Sequence, residues 1–182
     1  MVVLMVVVML RSWVQFGFVT YVPFYYVDYL KEAPGRVGML LFVFLGCGAL
    51  GTVMAGPFAD RVGARPLILG AFVLSVPLAV LFLITQGGTA LLVLGLFGAV
   101  LTSTFPMTVV LAQQYMPRNT GLASGLVVGF AIGMGGVGVG ALGWMADRFG
   151  LPTVLWTCAL LPITGLAAAL FLPRPDCMTS IG

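Results

Sequence analysis

Histidine is absent from the 182 residues, and charge is scarce: Lys and Arg number 8, Asp and Glu 5. Without imidazole no Ser-His-Asp or Cys-His catalytic set is possible, and the usual histidine sites for zinc, haem or non-haem iron are excluded. The three cysteines, Cys47, Cys158 and Cys177, are far apart and odd in number, and the first two lie in apolar runs. Neither a disulfide framework nor a thiolate metal site is implied. No metal, no cofactor and no enzyme activity are expected. A formal net charge of +3 without a basic cluster argues against nucleic acid. Residues 1–10 have no positive stretch before them, and apolar sequence resumes directly after Arg11, so a secretory signal is a poor reading.

What fills the chain is apolar. Hydrophobic residues make up 61% and charged residues 7%, against roughly 45–50% and about 25% in soluble domains. A mean hydropathy of +1.17 requires that most of the surface face lipid. Six apolar runs are expected as helices, at residues 2–28, 37–59, 66–85, 90–112, 121–146 and 153–172. Each is long enough, at about 1.5 Å per residue, to cross a hydrocarbon core of about 30 Å. None shows the alternation of a lipid-exposed strand. The connectors are too short to hold another domain, so the expectation is an all-α membrane protein, one bundle of six transmembrane helices over residues 1–182. With the N-terminus in the cytoplasm, Arg61, Arg65, Arg118 and Arg174 fall inside, and Lys31, Arg36 and Arg148 outside. That count favours this orientation only slightly.

An internal repeat organises the bundle. Gly56-Pro-Phe-Ala-Asp60-Arg61-Val-Gly63 recurs as Gly143-Trp-Met-Ala-Asp147-Arg148-Phe-Gly150, with five of eight positions matching at an offset of 87 residues. That offset is three helices, so the copies emerge on opposite sides of the membrane. Two inverted three-helix repeats are the build of many secondary transporters. The other reading is coincidence among ordinary helix-end residues.

Arg11 carries the most information. Counted from Val2 it lies about 14 Å along the first helix, near mid-membrane, where an arginine costs roughly 2.5–3.5 kcal/mol and keeps its proton. It must face a cavity or a partner, unless the helix starts later and the side chain snorkels to the surface. At 100° per residue, Gln15, Phe18, Val22, Tyr25 and Tyr26 fall within about 60° of its face. One cation, one amide and two phenols on a side suit a small-molecule substrate that joins an anionic or hydrogen-bonding group to an apolar body. Pro23 interrupts this helix near its end and removes a backbone donor.

Other clusters read as structural or as moving parts. Gly56, Asp60, Arg61, Gly63 and Arg65 close the second helix as a charged turn, a candidate conformational switch. Its carboxylate could meet the free N–H groups of the fifth helix near Thr120. Gly121, Gly125, Gly129 and Gly133, spaced by four, form a candidate helix-packing row. Thr102, Ser103, Thr104 and Thr108 surround Pro106, and their hydroxyls can serve carbonyls freed by that proline. Gln113 and Gln114 are read as headgroup contacts. Asp28, Glu32, Asp60, Asp147 and Asp176 all sit at run edges or in connectors, so no carboxylate lies at membrane depth.

The turn after the second run resembles the signature loop of the major facilitator superfamily, Gly-x-x-x-Asp-Arg-x-Gly-x-Arg, lacking only the usual basic residue where Ala64 stands. Members have twelve helices in two six-helix halves, each an inverted pair of three. The chain resembles the C-terminal half, which implies alternating-access transport and a cytoplasmic Met1. Arg11-Ser12-Trp13, Pro23-Phe24-Tyr25, Gly56-Pro57, Ala112-Gln113, Gly133-Met134-Gly135-Gly136 and Leu142-Gly143-Trp144 also resemble the fosmidomycin-resistance-type efflux subgroup, which exports an anionic phosphonate antibiotic. The resemblance implies efflux of small amphipathic or anionic compounds through the cell membrane. It also implies a missing N-terminal six-helix half or a second copy as partner, the chain being a fragment, a truncated product or a self-pairing half. The competing reading is an auxiliary six-helix membrane subunit without transport of its own.

Overall fold

The computed structural model describes residues 1–29, 31, 34–85 and 87–172, without the side chains of residues 29, 34 and 60. The readings placed on Glu32, Arg174, Asp176 and Cys177 lie outside the described residues. Six long helices account for nearly all of the rest: α1 (Val2–Phe24), α2 (Pro34–Val62), α3 (Ala64–Ile84), α4 (Gly88–Tyr115), α5 (Thr120–Phe149) and α6 (Leu151–Leu170). Each is long and apolar enough to cross a membrane. The expected runs match these helices, falling short by a few residues at most ends, because helices continue through the headgroup layer on polar residues such as Arg61 and Gln113.

Pro23 marks the end of regular α1. It leaves the Val19 carbonyl without a donor, and the chain widens at once into a π-helical turn, Tyr25–Tyr29. The repeat is visible as geometry. Gly63 (φ 92°, ψ 154°) and Gly150 (φ 84°, ψ 161°) are each the single residue between two helices. Gly63 N–H donates to Ala59 O at 2.8 Å and Gly150 N–H to Ala146 O at 2.9 Å, closing α2 and α5 in the same way. Positive φ with extended ψ is open essentially only to glycine, which is why both copies end on one.

Packing follows the same symmetry, with the triples interlocked. α1 packs mainly on α5 and α6, α4 mainly on α2 and α3, and α3 meets α6. Two apolar layers fill the interior. One, toward the end of α1, gathers Val14, Phe18, Phe44, Phe82, Phe97 and Leu155. The other, toward its start, gathers Leu4, Val8, Ile68, Phe72, Leu111 and Val127. Between them runs a belt of buried polar residues: Arg11, Ser12, Ser75, Thr102 and Thr104.

Glycine sets the helix seams, but not the glycines expected. A Cβ on Gly121, Gly125, Gly129 or Gly133 would meet nothing within 4 Å, so the four-spaced row faces away from the described bundle. The close approaches on α5 are one register round: a Cβ on Gly138 would lie 2.5 Å from the Trp13 ring, and one on Gly135 would fall on the Phe16 ring. The row therefore does not pack the bundle. Gly125→Ala and Gly129→Ala are expected to hold or raise thermal stability, by up to about 1 kcal/mol each from helix propensity. Gly135→Ala is expected to lower it by about 1–3 kcal/mol through overpacking. Thermal unfolding of the three variants in detergent checks the contrast.

Candidate anion site in the polar belt

Arg11 is 3% exposed, so the structure puts it inside the bundle and not at a surface. Its Nε donates to Thr104 Oγ1 on α4 at 2.9 Å, and the guanidinium lies 5.0 Å from the centre of the Phe105 ring. Among the described residues no carboxylate approaches it, and its two terminal nitrogens make no hydrogen bond to protein. A cation stripped of water normally needs an opposite charge. Here one hydroxyl and one aromatic face are what the described chain supplies.

The guanidinium opens onto a groove of about 330 Å³. α1 contributes Arg11, Ser12, Gln15 and Phe16 to it, α2 contributes Gly48 and Thr52, α4 Thr102 and Phe105, and α5 Ala131 and Ile132. The groove is open on one side, away from the core. Its shape and single uncompensated charge suit an anion carrying an apolar body.

Of the six residues expected on this face, the structure brings Arg11 and Gln15 together at the groove and puts Phe18, Val22, Tyr25 and Tyr26 in the apolar layer toward the end of α1. Phe18 is buried in an aromatic cluster, its ring 4.6 Å from Phe97 and 6.5 Å from Phe44. Tyr26 joins the same cluster through Phe82, at 6.2 Å, and Tyr25 stands edge-on to Tyr26. Phe18, Val22, Tyr25 and Tyr26 share the direction of Arg11 round α1 but lie farther along the helix than Gln15, in the aromatic layer. Ser12, Phe16, Thr52, Thr102 and Phe105 were not in the expected set. Ser12 and Phe16 lie outside a 60° wedge around Arg11, and the rest belong to other helices.

The floor is held by hydroxyls around a proline. Pro106 has no N–H, which frees the carbonyl of Thr102. The expected local hydroxyls do not serve it: Ser103, Thr104 and Thr108 donate to Val100, Leu101 and Phe105. Thr52 Oγ1 donates to Gly48 O in its own helix at 3.0 Å and comes no nearer than 3.5 Å to that carbonyl, while Thr102 Oγ1 has Gly98 O at 2.6 Å and Gly48 O at 2.8 Å within reach of its one proton. The approach of Thr102 Oγ1 to Gly48 O brings α2 and α4 together beside Arg11.

In the charged turn, Arg65 Nη2 donates to the carbonyl of Leu170 at 3.0 Å, tying the start of α3 to the end of α6. Arg61 is exposed, Gly56 and Gly63 sit in and after the last turns of α2, and the Asp60 side chain lies outside the described set. The described latch is therefore to α6, and the expected contact with α5 is not among the described ones. Gln113 does bridge to α5, donating to Ser124 Oγ at 2.7 Å, where a headgroup contact was expected.

Three comparisons bear on this arrangement. Residues 4–178 match the family model described as Major Facilitator Superfamily. The chain is 43% identical over 147 residues to the uncharacterized MFS-type transporter YfnC of Bacillus subtilis, covering 81% of this chain and 36% of that protein. It is 35% identical over 153 residues to the fosmidomycin resistance protein of Escherichia coli, covering 82% and 37%. Over 128 residues it is 35% identical to a probable nitrate/nitrite transporter, NarK2, of Mycobacterium tuberculosis, covering 68% and 31%. The chain thus spans about a third of the length of the curated relatives it matches. The crystal structure of the transporter FucP in the outward conformation superposes with a TM-score of 0.73 at 19% identity, over 94% of this chain and 42% of that one.

Proposed function

The chain belongs to the major facilitator superfamily, and from that footing we propose that it forms half of an alternating-access exporter of small anionic or amphipathic compounds. The observation that carries this reading is Arg11, buried without a carboxylate at a groove open on one side. A solute anion arriving there supplies the charge that the described protein withholds. Binding then relieves a desolvation cost already present in the empty site.

The open side of the groove needs a second wall. The shared third of its relatives' length, the exposed glycine row of α5 and the exposed face of α2 support a further six-helix body as that wall. It would be either an N-terminal half or a second copy of the chain. Small residues on an outward face let such a body approach closely. In this reading the chain lies in the cell membrane with Met1 cytoplasmic. The Gly56–Arg65 turn is then a switch, with Arg65 holding α6 in one state and releasing it in the other.

Fosmidomycin accumulation in cells tests the reading. Cells expressing the chain together with a six-helix N-terminal half of this superfamily are expected to hold several-fold less drug than cells expressing either part alone. Equal accumulation in all three would remove the export assignment.

A further inference from the structure

A second groove, of about 490 Å³, runs between α2 and α4 on the far side of α2 from Arg11. α2 lines it with Met39, Val43, Cys47, Leu50, Gly51 and Met54, whereas the Arg11 groove takes Leu45, Gly48, Ala49 and Thr52. At 100° per residue the two sets centre on opposite sides of the helix. A body that walls the Arg11 groove therefore leaves this one to lipid. Its lining is apolar throughout, and Leu50, Met54, Leu92 and Leu96 are all exposed. From Met39 to Met54 the groove spans about 22 Å of helix, more than one leaflet's share, about 15 Å, of the hydrocarbon core. An acyl chain fits it lengthwise.

The groove has a polar mouth. A cavity of about 210 Å³ adjoins it and shares three of its residues, Met39, Gly88 and Leu91. Arg36, Tyr26 and Gly87 also line that cavity. α2 and α4 both begin at this end, α3 returning the chain between them, so the mouth lies at headgroup level. Arg36 has an interaction within the protein, and the five donors of a guanidinium leave capacity for a phosphate besides. The positive end of the α4 dipole, at Gly87 and Gly88, lines the same opening. We propose that this seam holds an anionic phospholipid, its phosphate at Arg36 and one acyl chain laid along the α2–α4 groove. Basic pockets between membrane helices take acidic head groups, whereas a zwitterionic lipid brings the same chain without the net charge. Neither cavity shares a residue with the Arg11 groove, so the lipid site stands apart from the transport assignment.

Phosphatidylglycerol and phosphatidylcholine with identical acyl chains separate charge from tail. The full chain in detergent micelles, titrated with each and read by native mass spectrometry, is expected to hold phosphatidylglycerol about fivefold or more tightly. Arg36→Gln is expected to abolish that preference and to leave phosphatidylcholine within about twofold. A Cβ on Gly88 meets nothing within 4 Å, so Gly88→Leu fills the join of mouth and groove without displacing a neighbour. It is expected to weaken both lipids about tenfold with an undiminished thermal midpoint. Gly70→Leu on α3, equally open, is the control and is expected to change neither. Equal binding of the two lipids by the wild type, a preference that survives Arg36→Gln, or wild-type binding by Gly88→Leu overturns the proposal. Displacement of phosphatidylglycerol by an equal concentration of glycerol phosphate also overturns it, since the mouth would then be an anion pocket without a tail. A dimer that Gly88→Leu dissociates, with no lipid retained, would give the groove to a second copy instead.

Discussion

Gly51→Val is expected to break the α2–α4 seam and to cost about 3 kcal/mol or more, among the larger effects a single side chain can have. A Cβ there would stand 2.7 Å from both the carbonyl carbon and the Cα of Ala99, and closer still to its oxygen. Those are backbone atoms of a neighbouring helix, so relief requires α4 to move as a body. Displacing α4 would also carry Thr102 away from Gly48 and Thr104 away from Arg11, so the groove floor is lost with the seam. Gly46→Val is the matched control, on the same helix with nothing within 4 Å of its Cβ. Thermal unfolding in detergent reads the difference, with helix propensity cancelling between the two. Equal midpoints would mean that α2 and α4 do not close as described.

Arg11→Leu is expected to move stability and function in opposite directions. Replacing a buried charge by an apolar side chain of moderate size is often stabilising, by about 1–4 kcal/mol. Thr104 keeps its own bond to the Leu101 carbonyl, so the change leaves no orphan on α4. Anion transport by the assembled exporter is expected to fall by about 100-fold or more, the usual scale for deleting one member of a buried charge pair. Thermal unfolding and anion uptake into proteoliposomes, measured on the same preparation, check both halves. A destabilised variant would show Arg11 to be a structural strut, and unimpaired uptake would show it to be idle.

The span count and the repeat were legible because lipid imposes them: length and hydropathy leave little choice of element, and a one-residue turn with positive φ demands glycine at 63 and 150. Orientation about each helix axis was not legible. In a soluble bundle the polar face marks the outside, but here lipid and core are both apolar, and the stripe that would orient a helix is missing. The row Gly121, Gly125, Gly129 and Gly133 and the pair Gly135 and Gly138 therefore look alike in sequence, and only the neighbours separate them. Arg11 could be singled out because a charge is costly at either apolar face. Its companions were harder. Phe18 and Tyr26 share its direction but lie in another layer, while Thr52 and Thr102 arrive from helices distant in the chain. Ser12 could have been found as the hydroxyl adjoining the charge, had the wedge been drawn wider.

The bond between Arg11 and Thr104 spans 93 residues. At ribosomal speeds of about 5–20 residues per second, that interval lasts on the order of 5–20 s. For much of it the first helix has left the ribosome while the fourth is still to be made. A guanidinium waiting so long beside lipid needs temporary shelter, from the insertion machinery or from water drawn in along the nascent helix. Slowing translation between the second and fourth spans should therefore lower the yield of inserted chain, and the leucine variant, having nothing to shelter, should be indifferent to the delay.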